Sequence, residues 1–431
     1  MKSIVRISFL VFAVASALAQ AESDVLSFRH AIELSLQHAT GMAIASAETR
    51  RAQNSLLEQK YQYIPQVTAG SGLAYTYGFP LSLEGAAPTA ISINTQSTVL
   101  NFGQMDYIKS ARSGLNAANL SAEDRRQLTI LDAAASYIQL DTVVAELNIL
   151  QQQQEAADHA ENLVTDRVRE GVDAEVELTR ARLSATRVRM RTAEAQGAAD
   201  VLRSHLAALT GLKESQIVTS AESIPAIPKI GDDQPDAAKI ADGTPSIKAA
   251  FEEALAKQLQ ASAEKKMALP TVDLVGQYGL LTRYNNYDRF FNSFQRNNVT
   301  FGVAIRIPVF NQPGRAHSAA TDAEAVKAKR EAEDSKQQMT EQTLRLQRSI
   351  KQLEAAREVA KLDHQLAQSD AAAANARVDT GLASFKVLEA ARIQEHDKYL
   401  DYLNSDFALQ RAQLQYLRLK GGLEGWALAT K

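Results

Sequence analysis

Two hydrophobic patterns alternate along the chain, and each predicts one type of secondary structure. In the first, aliphatic residues recur every three or four positions, as at Leu128, Leu131, Ala135 and Ile138. This is the period of a helix that buries one face. In the second, apolar residues alternate with small or polar ones, as over residues 299–309. This is the period of a β-strand, so the chain is predicted to combine helices with a few strands.

The helices are predicted to be very long. None of the ten prolines lies between Pro88 and Pro225 or after Pro313, and glycine is sparse in both spans. Proline breaks helix interiors and glycine weakens them, so both spans favour helix. Residues 104–170 as one helix would measure about 100 Å at 1.5 Å per residue. A compact domain does not use such an element, whereas a long coiled assembly does.

Alternating stretches interrupt the helices in two pairs, at residues 67–79 and 91–99 and at residues 272–280 and 299–309. A strand that crosses a membrane needs about 9–11 residues with this pattern. Between Tyr61 and Met105 the only charged residue is Glu84, although charged residues make up 23% of the chain. Alternation alone fits a soluble sandwich equally well, but the long flanking helices favour membrane strands.

The chain repeats one unit with a period near 210 residues. Ile64-Pro65 and Leu269-Pro270 each end a helix before a strand, and Gly171 and Gly381 each interrupt a pair of long helices. Each half is predicted to be helix, strand, strand, long helix, glycine turn, long helix. We expect a signal peptide at 1–21, a first repeat at 22–222, an irregular connector at 223–245, a second repeat at 246–425 and a tail at 426–431.

Composition excludes several classes of function. The start of the chain has the pattern of a secretory signal. Its parts are the charged residues Lys2 and Arg6, the apolar run at 7–18 and the cleavage site Ala19-Gln20-Ala21. A formal charge of −3 without like-charge blocks argues against nucleic acid. Because the chain has no cysteine, disulfides and thiol chemistry are excluded. No catalytic or cofactor motif occurs and the seven histidines are scattered, so we expect neither an enzyme nor a metal or cofactor site.

Two pairs of segments resemble the TolC-type outer-membrane efflux family. They are the strand-to-helix junctions Leu100-Asn101-Phe102-Gly103 and Pro308-Val309-Phe310-Asn311 and the motifs at 171–182 and 381–392. The resemblance covers nearly the whole mature chain. It implies a mainly helical homotrimer in which each subunit gives four strands to one β-barrel in outer-membrane lipid. The helices would form an α-helical barrel through the periplasm, with the connector and the chain's end as a belt around its middle.

The function implied is a passive exit duct of a tripartite efflux or type I secretion system. Its partners would be a periplasmic adaptor and an inner-membrane pump of the RND or ABC type. Independently, four strands cannot close a barrel and an open sheet edge is not tolerated in lipid, so subunits would have to pool their strands. The alternatives are a periplasmic adaptor, which should have one hairpin between small soluble β-domains, and a secreted coiled-coil structural protein.

The resemblance places a gate and a docking surface at the glycine turns. The gate candidates Glu177, Arg182 and Arg392 would form polar links that hold a closed state. An apolar constriction is expected near Val387, and Glu389 is the acidic residue nearest to it. Val387 and Ala390 stand where well-known members carry aspartates, so a carboxylate ring is not expected. The candidates for adaptor docking are Gly171, Val172, Leu178, Gly381, Leu382 and Leu388. For each of these residues an ordinary solvated or packing role remains open.

Overall fold

A computed structural model describes residues 25–71, 89–228, 236–281, 295–380, 382 and 385–429. The helices are α1 Phe28–His38, α2 Thr40–Tyr61, α3 Gln104–Arg169, α4 Glu175–Thr210, α5 Ala237–Gly243, α6 Pro245–Lys266, α7 Gln312–Asp379, α8 Phe385–Leu419 and α9 Leu423–Ala427. The strands are β1 Gln66–Gly70, β2 Thr89–Leu100, β3 Thr271–Leu281 and β4 Asn297–Arg306. The expected signal peptide, Gly381 and most of the strand expected at 67–79 lie outside the described residues.

One antiparallel sheet joins the two halves of the chain in the order β1-β2-β3-β4. Its central pair connects a strand of each repeat, with Gln96 opposite Val275 and Ser97 opposite Leu274. Over the described residues, the outer edges of β1 and β4 have no partner strand. The predicted strand pairs are therefore confirmed where the structure describes them, the first strand only at 66–70, and they form one sheet whose two edges are open over the described residues.

The two faces of this sheet differ sharply in polarity. In β4, Val299, Phe301, Val303 and Ile305 share one face and are all more than 60% exposed. The opposite face is polar, and its Asp273, 3% exposed, accepts hydrogen bonds from Thr98 Oγ1 (3.0 Å) and Gln96 Nε2 (3.2 Å). An apolar face that none of the described residues covers is what a strand bordering lipid presents.

β4 is shorter than predicted. The alternation predicts a strand to residue 309, but pairing ends at Arg306, opposite Thr271. Pro308 has no backbone N–H to donate to a strand ladder, so the chain leaves the sheet before it. Ile307, Val309 and Phe310 remain exposed in the turn toward α7.

Two helical hairpins extend from the sheet. Their first helices, α3 and α7, have 66 and 68 residues, which corresponds to about 100 Å each. Near the sheet the helices lie side by side in the order α2-α3-α6-α7, and toward the glycine turns the order is α4-α3-α8-α7. By length and composition α3 alone, among the described helices, has a stretch that is apolar enough to cross a membrane, and half of that stretch is buried by its neighbours.

The middle of the hairpins holds the largest apolar cluster, where the first and last described segments meet. Phe28 packs edge-on against Tyr137 and Trp426, with ring centroids 5.4 and 5.3 Å apart. Tyr137 Oη donates to the Leu26 carbonyl (2.6 Å), and Trp426 Nε1 donates to the Ala226 carbonyl (3.0 Å). The connector and the end of the chain thus lie together at mid-height, as the resemblance implies.

Two predicted boundaries differ from the structure. Residues 237–243 of the expected irregular connector form α5, because Asp236 caps it by accepting from the Ala238 N–H and an alanine-rich run follows. Residues 426 and 427 of the expected tail belong to α9 and are buried. The indole of Trp426 has an apolar core to fill, which holds this end of the chain in place.

Candidate gate and docking tip

The first hairpin tip is closed by Gly171. Its φ of 77° is left-handed, a conformation that glycine adopts without penalty. Gly171 N–H donates to the Val168 carbonyl (3.0 Å) and Val172 N–H to the Arg167 carbonyl (2.9 Å), which ends α3. Arg167 also holds Asp173 through two hydrogen bonds of 2.7 and 3.1 Å, and this pairing lowers the pKa of Asp173.

The second tip shares one backbone hydrogen bond with the first. Leu382 N–H donates to the Arg377 carbonyl (2.8 Å), which is the bond between Val172 and Arg167 shifted by one repeat. The side chains of Val172 and Leu382 are 60% and 81% exposed, so each tip presents an apolar side chain at this position to the surroundings.

The two other leucines of the predicted docking surface lie elsewhere. Leu178 is half-buried on α4. Leu388 is only 5% exposed, because α8 turns it toward the first hairpin. Leu388 therefore packs inside the chain and does not offer its side chain to a partner, contrary to the expectation for this residue.

The predicted polar links do not meet one another within the chain. Glu177 pairs with Arg180, one turn away on the same helix. Arg182 Nε lies 3.5 Å from Glu161 Oε1 on α3, so it links the two helices of the first hairpin. Neighbours three or four positions apart on a helix are within easy reach, which accounts for the pairing of Glu177, whereas Arg182 is paired across the hairpin.

Arg392 and Glu389 instead line a cavity between the two hairpins. The cavity has a volume of about 260 Å3, and its wall also includes Ala157, Ala160 and Leu388. Small alanines on α3 leave space that α8 does not fill. Val387 is not among the residues that line this cavity and is 47% exposed.

His396 forms the end of the same cavity nearer the sheet. Burial lowers the pKa of this histidine, so it is neutral at pH 7. Among the described residues, no cluster of three or more histidine or carboxylate side chains could hold a metal ion. The cavity is thus a gap in helix packing with one charged side, formed by Glu389, Arg392 and Glu395 of α8.

An ion pair that the sequence did not suggest joins the two hairpins. Arg191 Nη1 on α4 lies 2.6 Å from Asp397 Oδ1 on α8. On the other side of α8, Lys398 Nζ lies 3.1 Å from Asp363 Oδ2 on α7. Arg191 and Asp397 occur at similar distances after their glycine turns, and this was the signal available in the sequence.

A carboxyl group near this pair is partly withdrawn from water. Burial raises the pKa of Glu146 on α3, and the nearby charge of Arg191 opposes that rise. Arg191 thus interacts with an acid on α3 as well as with Asp397 on α8. It is one of the residues that connect the two hairpins by charge, as Arg418 on α8 also does through Asp124 on α3 (3.0 Å).

Comparisons with known proteins agree with this architecture. Residues 31–212 match the family model named Outer membrane efflux protein. Protein CyaE of Bordetella pertussis is 23% identical over 301 residues, which are 68% of this chain. The match spans 62% of the length of CyaE.

Solved structures of low sequence identity share the fold. CusC has a TM-score of 0.75 at 16% identity, with 94% of this chain and 96% of that chain covered. The CmeC outer membrane channel of Campylobacter jejuni has a TM-score of 0.74 at 17% identity, with 92% and 86% covered. The open state of MtrE, an outer membrane channel of Neisseria gonorrhoeae, has a TM-score of 0.74 at 15% identity, with 92% and 90% covered. With its sheet and its hairpins, this chain has the fold of these outer membrane channels, and residues 31–212 are similar to the outer membrane efflux protein family.

Proposed function

We propose that three copies of this chain form a channel that is the passive exit duct of an efflux or type I secretion system. The observation that carries this proposal is the sheet, which has two open edges, one apolar face and long helical hairpins attached to it. In lipid every backbone N–H and carbonyl must find a partner, so β1 of one copy would pair with β4 of the next. The polar face with Asp273 would then line the barrel.

The helices would continue the barrel into the periplasm as a second, helical tube. At about 100 Å, α3 and α7 are long enough to carry the duct far from the membrane. The glycine turns would lie at the inner end and meet a periplasmic adaptor and an RND or ABC pump. In this arrangement Val172 and Leu382, with Gly171, Gly381 and Leu178, form the docking tip, and Leu388 supports it from inside.

We assign the gate to the contact between the two hairpins. A closed tip would be held by Arg191 and Asp397, together with the link from Arg182 to Glu161 within the first hairpin. Opening would move α8 away from α4, and the cavity lined by Glu389 and Arg392 would allow that movement. Glu177 would act on the tip only through Arg180, and Val387 would line the narrowest part of the lumen.

An apolar constriction at Val387 would exclude water and ions when the tip is closed. The duct itself would then impose little chemical selection, since the pump chooses the cargo. The proposed apolar constriction therefore favours a general exit over an ion-selective pore.

The adaptor alternative is less well supported. An adaptor would need a single hairpin with separate soluble β-domains, whereas here strands of both halves pair in one sheet. Over the part of the chain that the structure describes, the apolar face of that sheet would also lack any cover in a soluble protein.

Planar-bilayer recording of the detergent-purified protein tests the channel directly. We expect discrete single-channel steps whose conductance rises when the contacts that close the tip are weakened. A purified oligomer that never conducts, even after Arg191 and Asp397 are both neutralised, would contradict the proposed duct.

A further inference from the structure

A cavity at mid-height lies between the two hairpins, under the start of the connector. It is lined by α3, the segment 221–227, α7 and α8, so both repeats contribute to it. We call it the connector cavity. Its volume of about 480 Å3 falls within the range of about 300–1,000 Å3 that sites for small molecules occupy in proteins.

Hydrogen bonds hold the connector wall of this cavity in place. Ser223 Oγ accepts from the Phe28 N–H (3.0 Å). Three residues further on, the Ala226 carbonyl accepts from Trp426 Nε1 (3.0 Å). Between these two points Pro225 has a fixed φ. The wall is therefore formed before any ligand arrives, which lowers the cost of binding.

Much of the lining is apolar. The connector contributes Ile224 and Ile227, which are half-buried. The helices contribute Ile138 of α3 and Leu409 of α8, which are 3% and 7% exposed. These side chains offer contact area without hydrogen bonds, so the larger part of a ligand in this cavity would be apolar.

The charged groups on the α7 and α8 side of the cavity satisfy one another. Arg357 forms an ion pair with Asp406, and its Nη2 donates to Tyr402 Oη (3.3 Å). The second carboxylate oxygen of Asp406 accepts from Gln410 Nε2 (2.6 Å). This side of the cavity is therefore polar but already paired, and it does not call for a charged ligand.

Asp141 on α3 is the lining carboxyl group without such a partner. It is half-buried, and burial raises its pKa, although a hydrogen bond from the Thr219 hydroxyl opposes that rise. Over the part of the chain that the structure describes, no basic side chain pairs with Asp141. A carboxylate that is partly withdrawn from water without a counter-charge is destabilised, and a cation beside it would offset that cost.

The lining favours an organic cation over a metal ion. It carries two carboxylates, of Asp141 and Asp406, and one guanidinium, of Arg357, so one negative charge is left without a partner. A metal ion such as Ca2+ needs several oxygen ligands around it. Among the described residues, no group of three or more histidine or carboxylate side chains could supply them. An ammonium group on an apolar body needs one carboxylate and an apolar wall.

We propose that the connector cavity binds a small organic ammonium ion, with the ammonium group on the Asp141 carboxylate and the apolar body between Ile224 and Leu409. A charge-assisted hydrogen bond would hold the ammonium group, and the apolar walls would hold the rest of the ligand. Because the ligand would contact both repeats and the connector, it would stabilise their packing at mid-height. The site lies within one chain, so it does not depend on the proposed trimer or gate.

Isothermal titration calorimetry of the detergent-purified protein with phenethylamine tests the site. Phenethylamine has an ammonium group on an aromatic body, and 2-phenylethanol has the same body without the charge. Both compounds are also titrated into protein-free micelles, which corrects for their uptake by detergent. We expect saturable binding of phenethylamine at one site per subunit and about tenfold weaker binding of 2-phenylethanol, since hydrogen bonds to charged groups are the stronger ones.

Variants of α3 separate the charge of Asp141 from its surroundings. Asp141→Asn keeps the shape of the side chain and should weaken phenethylamine binding about tenfold. Glu146→Gln is the matched control, because burial also raises the pKa of Glu146 on the same helix but Glu146 does not line the cavity. This variant should bind phenethylamine as the unaltered protein does.

Ala145→Leu gives a second test that leaves the charge of Asp141 in place. Ala145 lines the cavity, so a leucine there would take up part of its volume and should abolish binding. This variant decides the question if Asp141→Asn does not fold.

Heat from phenethylamine that does not exceed the heat in protein-free micelles would overturn the site. Unchanged binding in Ala145→Leu would place the ligand outside the connector cavity and would overturn it as well. Equal affinity for 2-phenylethanol, or equal effects of Asp141→Asn and Glu146→Gln, would overturn the role of Asp141.

Discussion

Arg191 and Asp397 form an ion pair of 2.6 Å that joins the first hairpin to the second. The two residues lie in different repeats, and each comes after the glycine turn of its own hairpin. Their side chains are 41% and 43% exposed, so water weakens the attraction between them. A pair of this kind contributes less than about 1 kcal/mol, which suits a contact that must break when a channel opens.

Neutralising this pair should favour the open channel. Asp397→Asn keeps the shape of the side chain and removes the charge that holds Arg191. We expect open probability in planar bilayers to rise by no more than about fivefold, the equivalent of 1 kcal/mol.

Asp200→Asn is the matched control for this change, since Asp200 pairs with Arg203 at 2.9 Å within α4 and joins no second hairpin. Equal behaviour of the two variants would remove Arg191 and Asp397 from the gate. Restored closing in the exchange variant Arg191→Asp with Asp397→Arg would support it.

A carboxylate at Val387 should make the pore select cations. Val387→Asp would place negative charges in the proposed constriction, and charged rings of this kind select ions of opposite sign. The measurement is the reversal potential across a salt gradient, which should shift toward the equilibrium potential of the cation.

Leu382→Asp adds the same charge at the exposed tip and serves as the control. It should shift the reversal potential much less than Val387→Asp does. The opposite ranking would place the constriction at the tip and not at Val387.

An arginine on the apolar face of β4 should block assembly, and one on the polar face should not. Phe301 is 75% exposed on the face assigned to lipid, while Thr300 is its neighbour on the other face. Arginine facing the middle of a bilayer costs about 2–4 kcal/mol in membrane barrels. Phe301→Arg should therefore lower the amount of trimer in outer membranes, and Thr300→Arg should leave it nearly unchanged.

The reverse result, with Thr300→Arg the more harmful variant, would invert the assignment of the two faces. Equal tolerance of both would argue that the sheet does not border lipid at all.

The carboxylate of Asp106 should stabilise the junction between sheet and helices only above acid pH. Asp106 is 4% exposed and accepts hydrogen bonds from Lys266 Nζ (2.5 Å) and Ser262 Oγ (2.7 Å). These bonds, that from Lys266 first, hold the pKa of Asp106 below its ordinary value. Stability gained in this way is complete above the unfolded-state pKa of about 3.9 and is lost as the pH falls through the lower folded-state pKa.

Asp106→Asn should therefore lower the dissociation temperature of the protein in detergent at pH 7, by an effect worth about 1.5–3 kcal/mol. The difference from the unaltered protein should shrink below about pH 4. Asp322→Asn is the control, because its partner Lys265 at 2.6 Å is exposed. A difference that stays constant down to pH 2 would show that the charge of Asp106 is not what stabilises the junction.

The larger features of the fold could be predicted from the sequence because they depend on hydrophobic periodicity and on the positions of proline and glycine. The run without proline from 89 to 224 predicted α3 to within a residue of its end at Arg169, and alternation predicted β2, β3 and β4. These patterns are local, so one chain reveals them. The end of β4 was missed because alternation continues through Pro308, where strand pairing cannot.

The candidate gate was harder to predict from the sequence, because its contacts join residues about 200 positions apart. Nothing local distinguishes Asp397 from the other helix carboxylates, and only its distance from the glycine turn relates it to Arg191. The burial of Leu388 likewise depends on how α8 is rotated against α3, which the repeat pattern alone does not fix. Exposure of Val172 and Leu382 could be expected, since both directly follow a turn.

Separation of inner and outer membranes from an expressing bacterium, followed by gel analysis with and without heating, tests the trimeric duct most directly. We expect an outer-membrane band at about three times the mass of the subunit that collapses to a single subunit on heating, as an assembly held by a closed barrel would. A monomer in the soluble periplasm or in the inner membrane would contradict it.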